Sequence, residues 1–329
     1  MSAAAVPTAG VASPKPITRR PQSIDAGTNT TCGYTNLGRG YCWGDGSLGK
    51  LASAADSSCF GEGSAGQSPC TLSPKRFAGP AIEFTAVSVD STSGCGISKD
   101  KLIYCWGDNS KGQLGNGGKG AGAQPILATV GQVRFDSISV GGAHACALST
   151  TRQAYCWGDD ASGQLGDRRR VISTTPIPVA GNLTFSSITA GRRHTCGISN
   201  SKVYCWGDNT DGQLGNGTSV GLSDVPVPVG TGNDFVALSA GAYHTCGLTA
   251  SGSAVCWGRD FSGQSGAGSA GAIATSPAAV GSDTFVRISS ARDHTCALTA
   301  SGTILCWGGD ADYGGVGTAS PTVVPAGVT

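Results

Sequence analysis

Residues 194–217, HTCGISNSKVYCWGDNTDGQLGNG, contain the pattern that decides the fold of this chain. Within it, the tripeptide Cys-Trp-Gly at 205–207 recurs five more times along the 329 residues. The steps between successive copies are 63, 51, 49, 51 and 50 residues, and the tryptophans are Trp43, Trp106, Trp157, Trp206, Trp257 and Trp307. Similarity at a fixed period of this length is the signature of a repeat architecture. The sequence therefore predicts six equivalent units.

Each unit carries the signals of about four short strands. In the last unit, Thr295–Leu298 and Thr303–Cys306 alternate apolar and polar residues around Ala300-Ser301-Gly302, which is typical of a β-hairpin. A Pro-rich segment such as Thr175–Val179 suits an outer edge strand, because proline cannot donate a ladder hydrogen bond. The 53 glycines and 15 prolines fit short strands and tight turns. We predict an all-β fold, a single β-propeller of about six four-stranded blades, with seven as the alternative count.

The motifs His-Thr-Cys-x-Leu, Cys-Trp-Gly-Asp-Asn, Gly-Gln-Leu-Gly-Asn-Gly and Pro-x-Pro-Val resemble the repeat of the regulator-of-chromosome-condensation family, and the resemblance covers residues 20–325. It implies a propeller, most familiarly seven-bladed, whose chain termini share one blade. We predict an Ala/Pro-rich N-terminal arm at 1–22 and a propeller at 23–329, with an insertion at 50–75 in the first unit. We also expect the N-terminal segment to close the ring against the last unit.

Fourteen cysteines fall almost entirely into the repeat. Positions ten apart face one another across a three-residue hairpin loop, and positions nine apart do so across a two-residue turn. Opposed residues of this kind lie close enough for a disulfide. We predict six intra-blade disulfides from this spacing: Cys32–Cys42, Cys95–Cys105, Cys146–Cys156, Cys196–Cys205, Cys246–Cys256 and Cys296–Cys306. The two remaining cysteines, Cys59 and Cys70, lie in the insertion of the first unit, and we predict that they form a seventh bond.

Zinc is the alternative role for these cysteines, because His194 stands close to Cys196 and Cys205 in the repeat. The first two units argue against it, since they keep both cysteines but carry Thr30 and Ser93 where the histidine would be. Free buried thiols are a further alternative. We expect disulfides, no metal and no cofactor.

An enzyme is not expected from this sequence. The four histidines, His144, His194, His244 and His294, occupy equivalent positions, which favours a repeated structural role over a single general base. Only two glutamates, Glu62 and Glu83, are present, which argues against the paired carboxylates of a glycoside hydrolase. No Ser-His-Asp or Cys-His constellation emerges.

The short loop before each histidine position varies from unit to unit, while the surrounding frame stays constant. Such a combination is how repeat scaffolds present a binding face. In the family that the repeat resembles, this loop lies on one face of the ring and contacts partners. We nominate Arg192, Arg193, Tyr243, Arg292 and Asp293 as the binding residues, because arginine and tyrosine are favoured at interfaces.

Disulfides at this density indicate an oxidising compartment. Three N-glycosylation sequons, at Asn29, Asn182 and Asn216, agree with secretion and are glycosylation candidates. We expect an extracellular or surface-associated protein, although no signal peptide is visible in this numbering. The formal charge of +1 gives no attraction for nucleic acid, and no run of 18 apolar residues predicts membrane insertion.

Three functions are compatible with these features. The first is a non-enzymatic extracellular binding propeller whose variable loops contact a protein or glycan on a cell or virion surface. The second is a structural subunit of an extracellular filament, appendage or virion surface, with copies of itself as partners, held through the arm at 1–22 and the Cys59–Cys70 loop. The third is an intracellular small-GTPase exchange factor, which the disulfides and the near-neutral charge disfavour.

Overall fold

The computed structural model describes residues 21–60, 67–230, 232, 234–268, 270–309 and 318–324. These residues form 24 β-strands and one single-turn 3-10 helix, Ser47–Gly49. The strands assemble into antiparallel sheets that correspond to six propeller blades. The predicted all-β propeller with disulfides inside its blades is therefore confirmed.

In blades 2 to 6 the strands follow one another in chain order from the inside of the ring outwards. The first blade carries one additional strand, and its order is β1-β2-β3-β5-β4. Blade 1 contains β1 (Pro21–Ala26), β2 (Thr30–Thr35), β3 (Gly40–Asp45), β4 (Ser57–Phe60) and β5 (Gln67–Arg76). Blade 2 contains β6 (Phe84–Val89), β7 (Ser93–Ser98), β8 (Ile103–Gly107) and β9 (Gly122–Leu127). Blade 3 contains β10 (Phe135–Val140), β11 (His144–Ser149), β12 (Ala154–Gly158) and β13 (Ser173–Pro178).

The last two blades are joined by one long strand, whose first part is the outer strand of blade 5 and whose second part is the inner strand of blade 6. Blade 4 contains β14 (Ser187–Ala190), β15 (His194–Ser199), β16 (Lys202–Asp208) and β17 (Leu222–Pro228). Blade 5 contains β18 (Phe235–Ala240), β19 (His244–Thr249), β20 (Ser253–Asp260) and the start of β21 (Ala272–Ser290). Blade 6 contains the end of β21, β22 (His294–Thr299), β23 (Ile304–Gly308) and β24 (Thr322–Val323).

The central hairpin of every blade places its two cysteines opposite each other, as the repeat spacing predicts. Cys196 pairs with Cys205 across a two-residue turn at Asn200-Ser201, where both residues have positive φ. All seven predicted pairs are disulfide-bonded, and the six hairpin pairs have Cα–Cα separations of 4.0–4.1 Å. The seventh, Cys59–Cys70, joins β4 to β5 within the insertion. The insertion thus adds a disulfide-bonded strand to the outside of blade 1.

The hydrophobic core lies between blades. A representative cluster combines the disulfide of blade 3, Cys146–Cys156, with Phe185, Ile188 and Trp206 of blade 4. Equivalent clusters fill the other four contacts between consecutive blades. Each buried tryptophan also donates its Nε1–H to a backbone carbonyl of the preceding blade, as Trp206 does to Gln164 at 2.9 Å. These five tryptophans are therefore wedges between blades, and each satisfies its only polar group.

Inner strands of neighbouring blades are joined by a hydrogen bond that repeats around the ring. Ser139 Oγ of blade 3, for example, accepts the N–H of Ala190 in blade 4 at 2.9 Å. In blade 1 the aspartate Asp25 takes the place of this hydroxyl and accepts the N–H of Val89 at 2.8 Å. Strand β1 is thus an inner strand, although no hydrogen bond among the described residues joins it to blade 6 in the way the expected ring closure requires.

The predicted N-terminal arm, apart from its last two residues, lies outside the described residues. Strand β1 already begins at Pro21, two residues before the predicted start of the propeller at 23. Among the described residues, no helix has both the length and the apolar character needed to cross a bilayer.

Candidate functional site

One face of the propeller is encircled by the six loops that connect the first strand of each blade to the second. We call this set of loops the axial rim: residues 27–29, 90–92, 141–143, 191–193, 241–243 and 291–293. Neighbouring loops touch, since the Gly142 N–H donates to Gly191 O at 3.3 Å and the Ala242 N–H donates to Ala291 O at 3.3 Å. The loops that vary in sequence therefore form one continuous surface.

The backbone below the rim holds each loop in place. The residue that follows Trp-Gly in a blade donates its N–H to the last carbonyl of that blade's rim loop, as Asp208 does to Arg193 at 2.9 Å. This residue is aspartate in blades 1 to 4, but it is Arg259 in blade 5. Because the Arg259 N–H donates to Tyr243 O at 2.9 Å, the arginine side chain starts directly beside the Tyr243 loop.

Arg259 forms the centre of a rigid cluster on the rim. Its guanidinium carbon lies 3.7 Å from the centre of the Tyr243 ring, which is a close cation–π contact. Its Nε and Nη2 donate to the two carboxylate oxygens of Asp211 in blade 4, each at 2.9 Å. Burial alone would lower the pKa of Arg259, but Asp211, with smaller contributions from Tyr243 and Asp293, raises that pKa above its usual value. The arginine is therefore charged and fixed in position.

Two further side chains extend this cluster. Arg192 of blade 4 donates an Nη1–H to the hydroxyl of Tyr243, and its guanidinium carbon lies 5.4 Å from the ring centre. Phe261, which is 54% exposed, also contacts Arg259, with 5.6 Å between its ring centre and the guanidinium carbon. We call Arg192, Asp211, Tyr243, Arg259 and Phe261 the Arg-Tyr platform.

The remaining nominated residues flank the platform. Arg292 and Asp293 form an ion pair at 3.2 Å in the blade 6 loop. Arg193 is exposed, and no hydrogen bond or ion pair of its side chain is found within the described part of the chain. The structure thus joins Arg192 directly to Tyr243 and places Arg193 and the Arg292–Asp293 pair on the adjacent rim loops.

The blade 2 loop of the rim carries an acid with a shifted pKa. Asp90 stands where most other blades have glycine, and burial raises its pKa to about 6, an effect only partly offset by hydrogen bonds from Ser91. The Asp25 carboxylate raises the pKa of Asp90 further, whereas Arg192 lowers it.

Three of the histidines below the rim, His144, His194 and His244, are fully buried and bond to the next blade. His194 Nε2 lies 2.8 Å from Thr245 Oγ1 of the next blade, and the Thr245 hydroxyl donates to Gln213 O at 3.3 Å. Since that hydroxyl has only one proton, the histidine must donate from Nε2. Burial lowers the pKa of His194 to about 3, with smaller contributions from His144 and His244. A neutral, buried imidazole of this kind is not accessible to a substrate.

Two further sequence hypotheses concern a zinc site and N-glycosylation. Cys196 and Cys205, which a zinc site would need as thiolates, are bonded to each other. No group of three or more candidate metal-binding side chains occurs among the described residues. The sequon residues Asn29, Asn182 and Asn216 are all exposed, and their glycosylation remains a prediction.

A cleft lies on the face opposite the axial rim, where blades 1 and 2 meet. This cleft of about 730 Å³ is lined in part by Tyr34, Arg39, Arg76, Glu83 and Lys99. Glu83 and Lys99 form an exposed ion pair at 3.3 Å, and the cleft is broad and open. It lacks the set of mutually fixed side chains that the platform has.

Arg259, Asp211 and Phe261 are functional candidates that the sequence analysis missed. The signal for Arg259 was the departure from Trp-Gly-Asp at 257–259. The pairing with Asp211 had no sequence signal, because the two residues are 48 positions apart and meet only when blades 4 and 5 pack.

Comparison with known proteins places the chain in a family. The family model described as the RCC1-like domain matches residues 5–328. The human probable E3 ubiquitin-protein ligase HERC6 is 30% identical over 181 residues, which are 52% of this chain and 16% of that protein. The mitochondrial RCC1 domain-containing protein RUG3 of Arabidopsis thaliana is 29% identical over 147 residues, 43% of this chain and 31% of that protein. The chain therefore matches less than a third of the length of each of these relatives.

Solved structures share the same fold. Human WBSCR16 superposes with a TM-score of 0.81 at 17% identity, covering 94% of this chain and 83% of that one. Yeast RCC1 (Prp20), in its complex with Kap60, superposes with a TM-score of 0.80 at 18% identity, covering 93% and 75%. The CRINKLY WD40 ectodomain of the Arabidopsis thaliana receptor kinase ACR4 gives a TM-score of 0.56 at 21% identity, covering 94% and 84%. The repeat, the blades and the matched family model together show that this chain belongs to the RCC1-like domain family of β-propellers.

Proposed function

We propose that this chain is a non-catalytic, extracellular binding propeller that contacts a protein partner through the axial rim. The Arg-Tyr platform carries the proposal. Arginine and tyrosine are enriched among the residues that dominate interface energies, and residues held in their bound geometry lose less entropy on binding. Asp211 and the rim backbone hold Arg259 and Tyr243 in that way.

A protein partner fits the platform better than a glycan. Glycan binding to an aromatic ring needs a free ring face, whereas the Arg259 guanidinium already covers the Tyr243 ring at 3.7 Å. The exposed groups that remain are the guanidinium edges of Arg192 and Arg193 and the ring of Phe261. These groups suit carboxylates and apolar side chains of a protein surface.

The extracellular assignment rests on the disulfides. Seven of them involve all fourteen cysteines, and bonds of this kind persist in oxidising compartments. Non-reducing peptide mapping of native protein, with thiols alkylated before digestion, tests the assignment. Linked cysteine peptides would support it, and alkylated thiols at most positions would contradict it.

Site-specific photo-crosslinking tests the binding face. A photoreactive residue at position 193 on the rim is compared with one at position 152, in a hairpin loop on the opposite face. We expect a discrete crosslinked partner only from position 193, and its loss when Tyr243→Ala is added. Equal crosslinking from both positions would contradict a rim-specific site.

A further inference from the structure

Charge is distributed unevenly around the axial rim. In blades 4 to 6, the rim loops and the position after Trp-Gly contribute four arginines: Arg192, Arg193, Arg259 and Arg292. In blades 1 to 3, the rim loops contain no lysine or arginine and carry Asp90, and the position after Trp-Gly adds three aspartates: Asp45, Asp108 and Asp159. Lys50 and Lys111 pair with only two of these acids, Asp45 and Asp159. We call the part of the rim formed by blades 4 to 6 the basic side.

Two of the four arginines on the basic side already have an acidic partner. Arg259 bonds both carboxylate oxygens of Asp211 at 2.9 Å, and Arg292 pairs with Asp293 at 3.2 Å. The other two arginines form no ion pair among the described residues. Asp208 is the one acid at these positions of the basic side that has no arginine partner within the same part of the chain. Unpaired positive charge therefore exceeds unpaired negative charge on this side.

Arg192 crosses the rim from the blade 3 loop towards blade 5. A Cβ on Gly142 of blade 3 would lie 3.1 Å from Arg192 Cγ, so the stem of the arginine packs closely against this loop. At its other end, Nη1–H donates to the hydroxyl of Tyr243. No hydrogen bond of Nε or Nη2 is found among the described residues. The guanidinium is therefore held in place while some of its N–H groups remain available to a partner.

The Tyr243 hydroxyl supplies a second available donor at the same place. Its oxygen accepts the hydrogen bond from Arg192, and no acceptor for its own proton is found in the described part of the chain. A carboxylate has two acceptor oxygens and is the usual partner of an arginine fork. The Arg192 N–H groups and the Tyr243 O–H together match the two oxygens of one carboxylate.

An apolar group lies within reach of this pair of donors. The guanidinium carbons of Arg192 and Arg259 are 5.4 and 3.7 Å from the Tyr243 ring centre, and the Phe261 ring centre is 5.6 Å from Arg259. Phe261 is 54% exposed. Because an extended chain advances about 3.3 Å per residue, roughly five residues are enough to reach from Arg192 to Phe261.

We propose that the basic side of the axial rim binds an acidic segment of the protein partner, in which a carboxylate accepts hydrogen bonds from Arg192 and Tyr243 and a nearby apolar side chain packs on Phe261. The proposal rests on the binding function proposed above and specifies the chemistry of the partner. The exposed Arg193 adds attraction for further acidic residues of the same segment.

A short acidic protein segment suits this surface better than a nucleic acid. The chain has a formal charge of only +1, and Asp90 and Asp108 of blade 2 have no lysine or arginine partner among the described residues. A long phosphate backbone would extend from the basic side over these acids, whereas a segment of a few residues stays beside the arginines.

Peptide selection followed by titration tests the proposal. A phage-displayed library of short random peptides is selected on the immobilised wild-type chain with its disulfides intact. We expect enriched peptides to carry Asp or Glu within about five residues of an aromatic or aliphatic residue. The most enriched peptide is labelled, and its affinity is measured by fluorescence anisotropy at low and high salt. Matched probes are the same peptide with Asn and Gln in place of its acids, a phosphoserine version and a single-stranded oligonucleotide.

Three variants separate the donors from the fold. Tyr243→Phe removes the hydroxyl and keeps the ring, Arg192→Gln removes the charge, and Arg152→Gln, on the opposite face, is the control. We expect each of the first two to bind the acidic peptide about tenfold more weakly, since a hydrogen bond to a charged group is typically worth that factor or more. High salt should weaken binding to wild type and to the control. Circular dichroism and disulfide mapping verify that each variant is folded.

The outcomes distinguish this proposal from the binding function on which it rests. Enriched peptides without an acidic bias, or equal affinities for wild type and Tyr243→Phe, overturn the acidic segment. Tighter binding of the oligonucleotide or of the phosphoserine peptide also overturns it and assigns a phosphate ligand instead. A partner that crosslinks at position 193 through a neutral or basic segment overturns the proposal and leaves the binding function intact. Absence of any rim crosslink overturns the binding function itself.

Discussion

The guanidinium of Arg259 lies over the ring of Tyr243 at 3.7 Å and is fixed there by both carboxylate oxygens of Asp211. These three residues come from blades 4 and 5, so the geometry of the rim depends on how the two blades pack. An interaction surface built in this way is rigid without any contribution from a ligand.

Replacement of Arg259 by aspartate, the residue of blades 1 to 4, should remove the platform. The aspartate lacks the stacking contact with Tyr243 and places a second carboxylate beside Asp211. Loss of a central interface residue typically costs about 2 kcal/mol, so we expect about 30-fold weaker partner binding. Titration calorimetry or surface plasmon resonance with the crosslinked partner measures the effect. Arg152→Ala, on the opposite face, should bind like wild type, and equal affinities for wild type and Arg259→Asp would contradict the role of the platform.

The tryptophans should differ in their contribution to stability according to burial. Trp206 is completely buried between blades 3 and 4, whereas Trp43 of blade 1 is partly exposed. We expect Trp206→Ala to lower the free energy of unfolding by about 3–5 kcal/mol and Trp43→Ala to lower it by clearly less. Chemical denaturation of the two variants and the wild type makes the comparison. Similar losses for both variants would mean that Trp43 is packed within the single chain.

Much of the fold was predictable because it follows from local spacing. Cys296 and Cys306 are ten positions apart, and this spacing puts the two residues opposite each other in a tight hairpin. The pairing therefore does not depend on how the blade packs against its neighbours. The platform was only half predictable, since Tyr243 was visible as a variable loop residue but its contact with Arg259 depends on packing. The exposure of Ile24 in blade 1 and of Ile304 in blade 6 was not predicted, because sequence similarity between repeats does not reveal how the first and the last repeat are placed.

Acid should destabilise the propeller through its buried histidines. Burial lowers the pKa of His144 to about 4, and burial together with a smaller contribution from His294 lowers the pKa of His244 to about 3. In the unfolded chain these rings titrate near about 6.5. Because the folded pKa is depressed, the stability is complete above about pH 6.5 and falls as the pH drops below it, by about 1.4 kcal/mol per pH unit for each ring.

Three acids oppose this trend. Burial raises the pKa of both Asp90 and Asp160 to about 6 and also raises the pKa of Asp25, so their protonation at lower pH favours the folded state. The three fully buried histidines begin to destabilise the fold near about pH 6.5, above the pKa of these acids, and we expect the melting temperature to fall between pH 7 and pH 5. In His194→Gln the fall should be shallower, although the variant is less stable at pH 7. An unchanged pH dependence in this variant would contradict the assignment.

The residue at the start of each rim loop and the histidine three positions later should be energetically coupled. A Cβ on Gly191 would lie 2.3 Å from the Cε1 atom of His194, so a fully buried histidine needs glycine at this position, as in blades 3 to 5. Blade 6 has Ala291 there, and its His294 is only partly buried. Blade 2 has the side chain of Asp90 at this position, and it has the smaller Ser93 instead of histidine. The Ser93 hydroxyl is buried, with no hydrogen-bond partner among the described residues.

Ser93→His alone should therefore destabilise the protein, because the new ring collides with the Cβ of Asp90. Asp90→Gly together with Ser93→His restores the combination found in blades 3 to 5, and we expect the double variant to be more stable than Ser93→His. A double-mutant cycle from denaturant unfolding should give a coupling energy of about 1–3 kcal/mol, the size seen for residues in direct contact. A coupling energy near zero would mean that the rim backbone of blade 2 tolerates the histidine without glycine, and that the two positions vary independently.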